Sequence, residues 1–322
     1  MKKLLTVAFG MLFVTSFAFA QNSADLTQAG DLNNADVDQT GGSSVTIDQT
    51  ANGSATSGYY NEAYVDQAGN HSATITQTGA SSAQFYFGNY AELDQSGVNQ
   101  SATIVQEGSN KFTNYQGPSR GAYVTQSGEG NVATVEQRGS GNTATVEQDG
   151  VGNIASHIIL SDQRTGNNIG TIRQFTSGNE ANQTFDPTYG QLGGHQYNVR
   201  FYAYQDGGDG NYIDQDINFA WGNNNEVSTT QYGSGNSATQ LIQKKDMSNS
   251  SATIEQGDYY GRYDGLMGDA NTAEQYLYGS NNTAVIYQFG GNNFASQTMN
   301  TAGNSSTITQ HGGENDAEVI QN

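Results

Sequence analysis

Hydrophobic and polar positions alternate along most of this chain with a period of two, and short glycine-rich breaks interrupt the alternation at regular intervals. The clearest stretch, residues 126–153, reads QSGEGNVATVEQRGSGNTATVEQDGVGN. It holds one unit twice, Asn131-Val-Ala-Thr-Val-Glu-Gln137 and Asn142-Thr-Ala-Thr-Val-Glu-Gln148, so the pattern returns every 11 residues. Asn131, Ala133, Val135 and Gln137 fall on one side of an extended chain; Val132, Thr134 and Glu136 fall on the other. Val and Thr at period two predict a β-strand, and the glycine-rich tetrapeptide after it predicts a tight turn. Strand and turn at constant spacing make a coil of about 22 residues, and one coil cannot bury its apolar side alone, so coils must stack. The expected fold class is all-β, a cross-β solenoid with two strands per coil.

Glu136 and Glu147 decide which side faces in, because an unpaired carboxylate is costly to bury. The Ala133 and Val135 side therefore goes inside and takes Asn131 and Gln137 with it. In stacked strands each side-chain amide can bond the identical amide one coil above and below. The amides assigned to such ladders are Asn131 with Gln137, Asn142 with Gln148, Asn168 with Gln174, Asn225 with Gln231, Asn304 with Gln310, and Asn315 with Gln321. The plainer reading makes them polar residues that flank turns.

Asn or Ser, five residues, Gln and then four residues, repeated along the chain, resembles the curlin repeat of curli fibre subunits. The glycine pairs at Gly128/Gly130 and Gly139/Gly141 fit the same pattern. The resemblance implies a structural subunit of an extracellular amyloid fibre for adhesion and biofilm matrix, not an enzyme. It also implies export through an outer-membrane secretion channel and nucleation by a related minor subunit. The chain departs from that family in beginning its repeats directly after the leader, where curli major subunits carry a non-repeat targeting segment. It also has more repeats and bulky insertions.

Met1 to Ala20 has Lys2 and Lys3, an apolar run, and Ala18-Phe-Ala20 as a cleavage signal. This predicts a secretory signal peptide over 1–20, with the repeat domain over 21–322 and passage through the periplasm to the cell surface. That run is short for a membrane span, and no later run approaches spanning length. Repeat units are read from Asn22–Gln28 to Asn315–Gln321, including Asn110–Gln116, Asn153–Gln163, Asn236–Gln243 and Asp269–Gln275. They amount to about 24 strands, or about 12 coils and about 60 Å of stack. The first unit starts, and the last ends, one residue inside the mature chain, so no capping segment is expected and strand edges stay open to another chain.

Extra residues fall at Thr50–Tyr60, Thr78–Gly88, Asp186–Asn198, Asp216–Asn224 and Gly257–Gly268. They carry Tyr59, Tyr60, Phe85, Tyr86, Phe87, Phe219, Trp221, Tyr259, Tyr260 and Tyr263. Such edge loops are either a sticky contact surface or local shielding of a turn.

Composition narrows the chemistry. The chain has no cysteine, 2 prolines and 41 glycines, which excludes disulfides and suits a ladder that proline would interrupt. Loss of Lys2 and Lys3 takes the formal charge from −20 to −22, the wrong sign for a nucleic-acid partner. His71, His157, His195 and His311 lie in different repeats and read as surface residues, and Asp206-Gly-Gly-Asp-Gly-Asn211 is a lone echo of a calcium-binding repeat, read as a turn. No cofactor and no metal site is expected. An acid often precedes the closing glutamine, and Asp38, Asp66 and Asp94 should line one outer face as a gatekeeper row, or simply as a solvated face. The other classes considered are a monomeric β-solenoid adhesin or ligand- or ice-binding module, and a polysaccharide-acting β-helix enzyme. The interrupted outward threonines disfavour ice binding, and the scattered Lys and Arg disfavour the enzyme.

Overall fold

The computed structural model describes residues 21–30, 33–51, 61–79, 87–112 except 110, 121–160, 168–186, 198–218, 224–243, 248–257 and 269–322. The expected leader, the aromatic insertion residues other than Phe87, His195 and Gln163 lie outside the described residues. Twenty-one parallel strands form one hydrogen-bonded array, and there is no helix among the described residues.

The pairing rule is simple: each rung bonds the rung two places on. Ser23–Ala29 pairs with Ser44–Ala51, and Asn34–Gly41 with the first half of Glu62–Gly79. Alternate rungs therefore make two facing sheets. Sheet 1 runs from Asn34–Gly41 through Thr143–Val151 to Ser305–His311. Sheet 2 runs from Ser23–Ala29 through Val132–Ser140 to Asp316–Gln321. Glu62–Gly79 and Tyr90–Ser109 each pass round a corner and belong to both sheets. This is a two-strand coil rising by one strand spacing of about 4.8 Å per turn.

The core is thin and repetitive. Ala133, Val135, Ala144 and Val146 are fully buried, and the same two inward positions carry Ala with Val, Ile or Leu in most rungs. Turns from sheet 1 to sheet 2 are built on glycine at positive φ, as at Gly97 and Gly128. There the coils pass so closely that a Cβ on either residue would strike the main-chain oxygen of the next turn, Gly128 or Gly150.

Of the unit read as Asn110–Gln116 only Lys111–Phe112 is described, and it lies outside the main array. Tyr90–Ser109 bonds directly to Ala122–Glu129 and Val132–Ser140, while Lys111–Phe112 pairs antiparallel with Phe87–Gly88.

Candidate functional site

Glutamine needs one acceptor and two donors satisfied when it is buried, and the coil supplies partners in two directions. In sheet 1 the seventh-position glutamines bond one another from Gln39 to Gln310 without a break. Each Nε2 donates to the next Oε1 at 2.6–3.0 Å. The second N–H crosses the core. Gln148 Nε2 donates to the Val132 carbonyl at 3.2 Å and Gln231 Nε2 to the Tyr212 carbonyl at 2.9 Å, both in sheet 2. The amides thus bind coil to coil and sheet to sheet. All of them point the same way, so the ladder has a donor end and an acceptor end.

Sheet 2 begins identically, with Gln28, Gln49, Gln77, Gln106 and Gln137 joined at 2.7–2.8 Å. It then changes phase. The residue in register after Gln137 is Ile159, and Phe185, Ile217, Ile242, Leu277 and Met299 follow it in that column. The glutamines move two places back along the strand, to the column of Val135. There His157, Gln183, Gln215, Gln240, Gln275 and Gln297 are joined at 2.8–3.1 Å. The displaced apolar side chains form a buried cluster of their own around Ile159, Phe185 and Ile217.

This transposition corrects four readings of the sequence. The rung read as Asn153–Gln163 is regular, with Ile159 at its seventh position. The rung read as Asp269–Gln275 is Asn271–Leu277, with Gln275 at its fifth position. Gln240, not Gln243, is the buried amide of the Asn236 rung. His157 is no surface residue. It is buried, its Nδ1 donates to Gln183 Oε1 at 2.8 Å, and its ring fills the space over Gly170 beside Phe201. Burial lowers its pKa to about 4, against the opposing pull of the Gln183 bond. Thr229 hydrogen-bonds Gln215 and Gln240 across the core, a contact no pattern in the sequence announces. His71 is also buried, at the first position of its rung, and accepts from the Gln100 backbone N–H.

First-position asparagines stack by a different rule from the expected amide-to-amide ladder. Asn131 Oδ1 accepts the backbone N–H of Asn153 at 2.9 Å, and Asn293 Oδ1 that of Asn315 at 3.1 Å. Asn131 and Asn142 spend Nδ2 on the carbonyls of Ser127 and Arg138, which close their own turns. Direct amide contacts occur as well, as from Asn168 to Asn142 at 3.0 Å. The shorter side chain reaches main chain where glutamine reaches its own kind. Asn225 is buried and supplies the acceptor for Ser250 N–H; Asn304 takes the same position near the last coil.

On the outer face Asp38, Asp66 and Asp94 are register partners, and the next residue in that column is Thr125. Burial, then Asp66, then Glu92 raise the Asp94 pKa above the usual carboxylate value. Further along the ion pairs Arg138–Glu136, Arg138–Glu107 and Arg173–Glu147 break up the negative charge. Asp216 is pushed up to about 6 by burial, with Asp214 and Asp186 adding to it. Aromatics also line sheet 1 outside the insertions: Tyr64, Tyr90 and Tyr123 form a stack with centroids 5.5–5.7 Å apart, and Tyr90 OH donates to Glu92. Among the described residues no group of three His, Asp or Glu is placed to hold a metal ion.

Residues 21–50 and 121–150 match the family of the curlin associated repeat. Both matched segments precede the phase change in sheet 2. No curated protein matches the chain.

Proposed function

We propose that this chain, which carries curlin associated repeats, is a secreted structural subunit of a curli-like extracellular amyloid fibre that serves adhesion and biofilm matrix. The observation that carries this reading is the unbroken, unidirectional glutamine ladder from Gln39 to Gln310. A ladder with an acceptor at one edge and a donor at the other is extended by any second copy that presents the complementary edge. Contacts of this kind do not close on themselves and so give filaments. The ladder amides Asn131, Gln137, Asn142, Gln148, Asn168, Gln174, Asn225, Gln231, Asn304, Gln310, Asn315 and Gln321 are assigned the role of holding coils and copies together. Asp38, Asp66 and Asp94 act as gatekeepers of assembly. Export by the residue 1–20 leader, passage through a curli-type channel and start-up by a nucleator belong to the same reading, as does a stack of about 12 coils.

The test is to purify residues 21–322 and follow thioflavin fluorescence with electron microscopy. Filaments with a cross-β diffraction spacing of about 4.8 Å are expected. A chain that stays monomeric at tens of micromolar for days overturns the proposal.

A further inference from the structure

The last rung does not fit its own chain. Along sheet 2 from His157 to Gln297 the polar residue sits at the fifth position, with an apolar side chain at the seventh. Asp316–Gln321 reverts: Val319 lies in register with Gln297, and Gln321 with Met299. The reversion leaves Gln321 Oε1 buried with no hydrogen-bond partner, and it sends Gln297 Nε2 to Ser306 Oγ at 3.2 Å instead of to a next glutamine. A buried acceptor without a donor is unfavourable, and a local conflict of this kind marks a position set by something beyond the fold itself.

The rung does fit the other edge of the array. Sheet 1 ends at Ser305–His311 with Ile308 and Gln310 at its inward fifth and seventh positions, and sheet 2 ends with Val319 and Gln321. At the opposite edge Ser23–Ala29 carries Leu26 and Gln28, and Asn34–Gly41 carries Val37 and Gln39. Both edges therefore present the untransposed phase in both sheets, although sheet 2 is transposed for six consecutive rungs between them. Polarity agrees as well. Gln28 and Gln39 spend Nε2 on Gln49 and Gln67, so their Oε1 atoms face outward along the stack as acceptors. Gln310 and Gln321 use one N–H each on a carbonyl, Phe294 and Ser305, and keep the other to donate.

We infer that the phase of Val319 and Gln321 is a joining code: it specifies a second copy of this chain, seated head to tail, with its Ser23–Ala29 strand on Ser305–His311 and its Asn34–Gly41 strand on Asp316–Gln321. The crossed pairing follows from the rise of the coil. The edge at Ser305–His311 is recessed by half a coil relative to Asp316–Gln321, and Ser23–Ala29 leads Asn34–Gly41 by the same half coil. Seating sheet 2 on sheet 2 would leave a strand-wide gap over Ser305–His311, and the crossed seating fills it. Successive copies are then related by a half-turn about the stack. Outside the core this sets Glu318 beside the Asp36 of the next copy; the uncrossed seating would set it beside Asp25.

The inference rests on the fibre reading above, and one experiment separates the two. Sonicated wild-type fibres seed growth of soluble wild-type chain, Val319→Gln/Gln321→Ile, Val319→Ile, Asp36→Lys and Asp25→Lys, with circular dichroism as the check on β content. The double variant gives the last rung the phase of its own chain, so its sheet content is kept. Its elongation should fall about tenfold or more, because each joint loses amide bonds and buries unpaired polar groups. Val319→Ile should elongate as wild type, and Asp36→Lys should elongate faster at neutral pH while Asp25→Lys does not. A double variant that elongates at the wild-type rate overturns the joining code. Acceleration by Asp25→Lys in place of Asp36→Lys overturns the half-turn. Wild-type chain that yields no fibres overturns the fibre reading and the inference with it.

Discussion

A buried glutamine is tolerable only while all three of its hydrogen-bonding groups find partners, and Gln148 shows how little slack there is. It accepts from Gln126 and donates to Gln174 and to the Val132 carbonyl. Replacing it with Glu removes both donors and sets a carboxyl against the Oε1 of Gln174. Gln148→Glu should cost about 3 kcal/mol or more at pH 7, whereas the outward Glu147→Gln should stay within about 1 kcal/mol; urea midpoints of the two variants would show it. Equal losses would place Gln148 outside the load path. His157 has the opposite relation to pH. Its folded pKa of about 4 lies below the unfolded value, so its contribution is complete above about pH 6.5 and is lost as pH falls toward 4. His157→Gln should leave stability at pH 7 near wild type and flatten the loss between about pH 6.5 and 4, read as the variant's difference in urea midpoint at each pH. The burial of His157 was illegible in the sequence, because an isolated histidine in an alternating strand gives no sign of which column it occupies.

At the scale of the strand, the alternation was legible and the column was not. Gln275 and Leu277 have the same parity as Val135 and Gln137, so a period of two puts all four inside without saying which position carries the amide. Reading each unit to its nearest glutamine misplaces one boundary of Asn236–Gln243 and both boundaries of Asp269–Gln275. Pairing partners resolve this, since Gln240, Gln275 and Gln297 bond one another directly. The outward columns follow from the same register. Asp38, Asp66 and Asp94 stand one strand spacing apart, and the raised pKa of Asp94 means that the stack holds a proton there to higher pH than the free chain does. That contribution is present at low pH and is lost as pH rises through the folded value. Replacing all three with Asn should shorten the assembly lag at pH 7 and shorten it less at about pH 4, where the Asp94 carboxyl is held protonated; millimolar calcium, which takes carboxylate oxygens, should shorten the wild-type lag more than the variant's. Thioflavin traces at the two pH values decide it. A variant that nucleates at the wild-type rate at pH 7 reduces the row to a solvated face.

For the molecule as a whole, the solenoid and its period were legible because the repeat is long and its polar positions are fixed; the unequal treatment of the two edges was not. Segments 52–60, 80–86, 113–120, 161–167, 187–197, 219–223 and 244–247 all lead from sheet 2 to sheet 1, and only 258–268 joins the sheets at the other edge among segments of comparable length. The insertions rich in aromatics are thus attached mostly along one side. On the opposite side successive glycines pass within a backbone's width of one another over five turns, from Gly41 through Gly69, Gly97 and Gly128 to Gly150; on the insertion side such close passes are interrupted, as at Gly30 against Ala51 and Gly108 against Gly139.

The side that takes seven of these eight long segments makes the molecule a display frame with a favoured margin. Foreign sequence placed after Gly141, where the chain crosses from sheet 2 to sheet 1, lengthens a bend of the kind that already takes long inserts. The same peptide placed after Gly128 breaks the glycine column where even a Cβ would strike the Gly150 carbonyl oxygen. A ten-residue Gly/Ser tag should therefore be carried at the first position with unchanged sheet content and cost about 1 kcal/mol or less, and should lower the urea midpoint at the second; equal tolerance at both sites would remove the distinction. If the margin holds, a fibre of these chains would present whatever is written there once per copy, on a pitch set by the length of the stack.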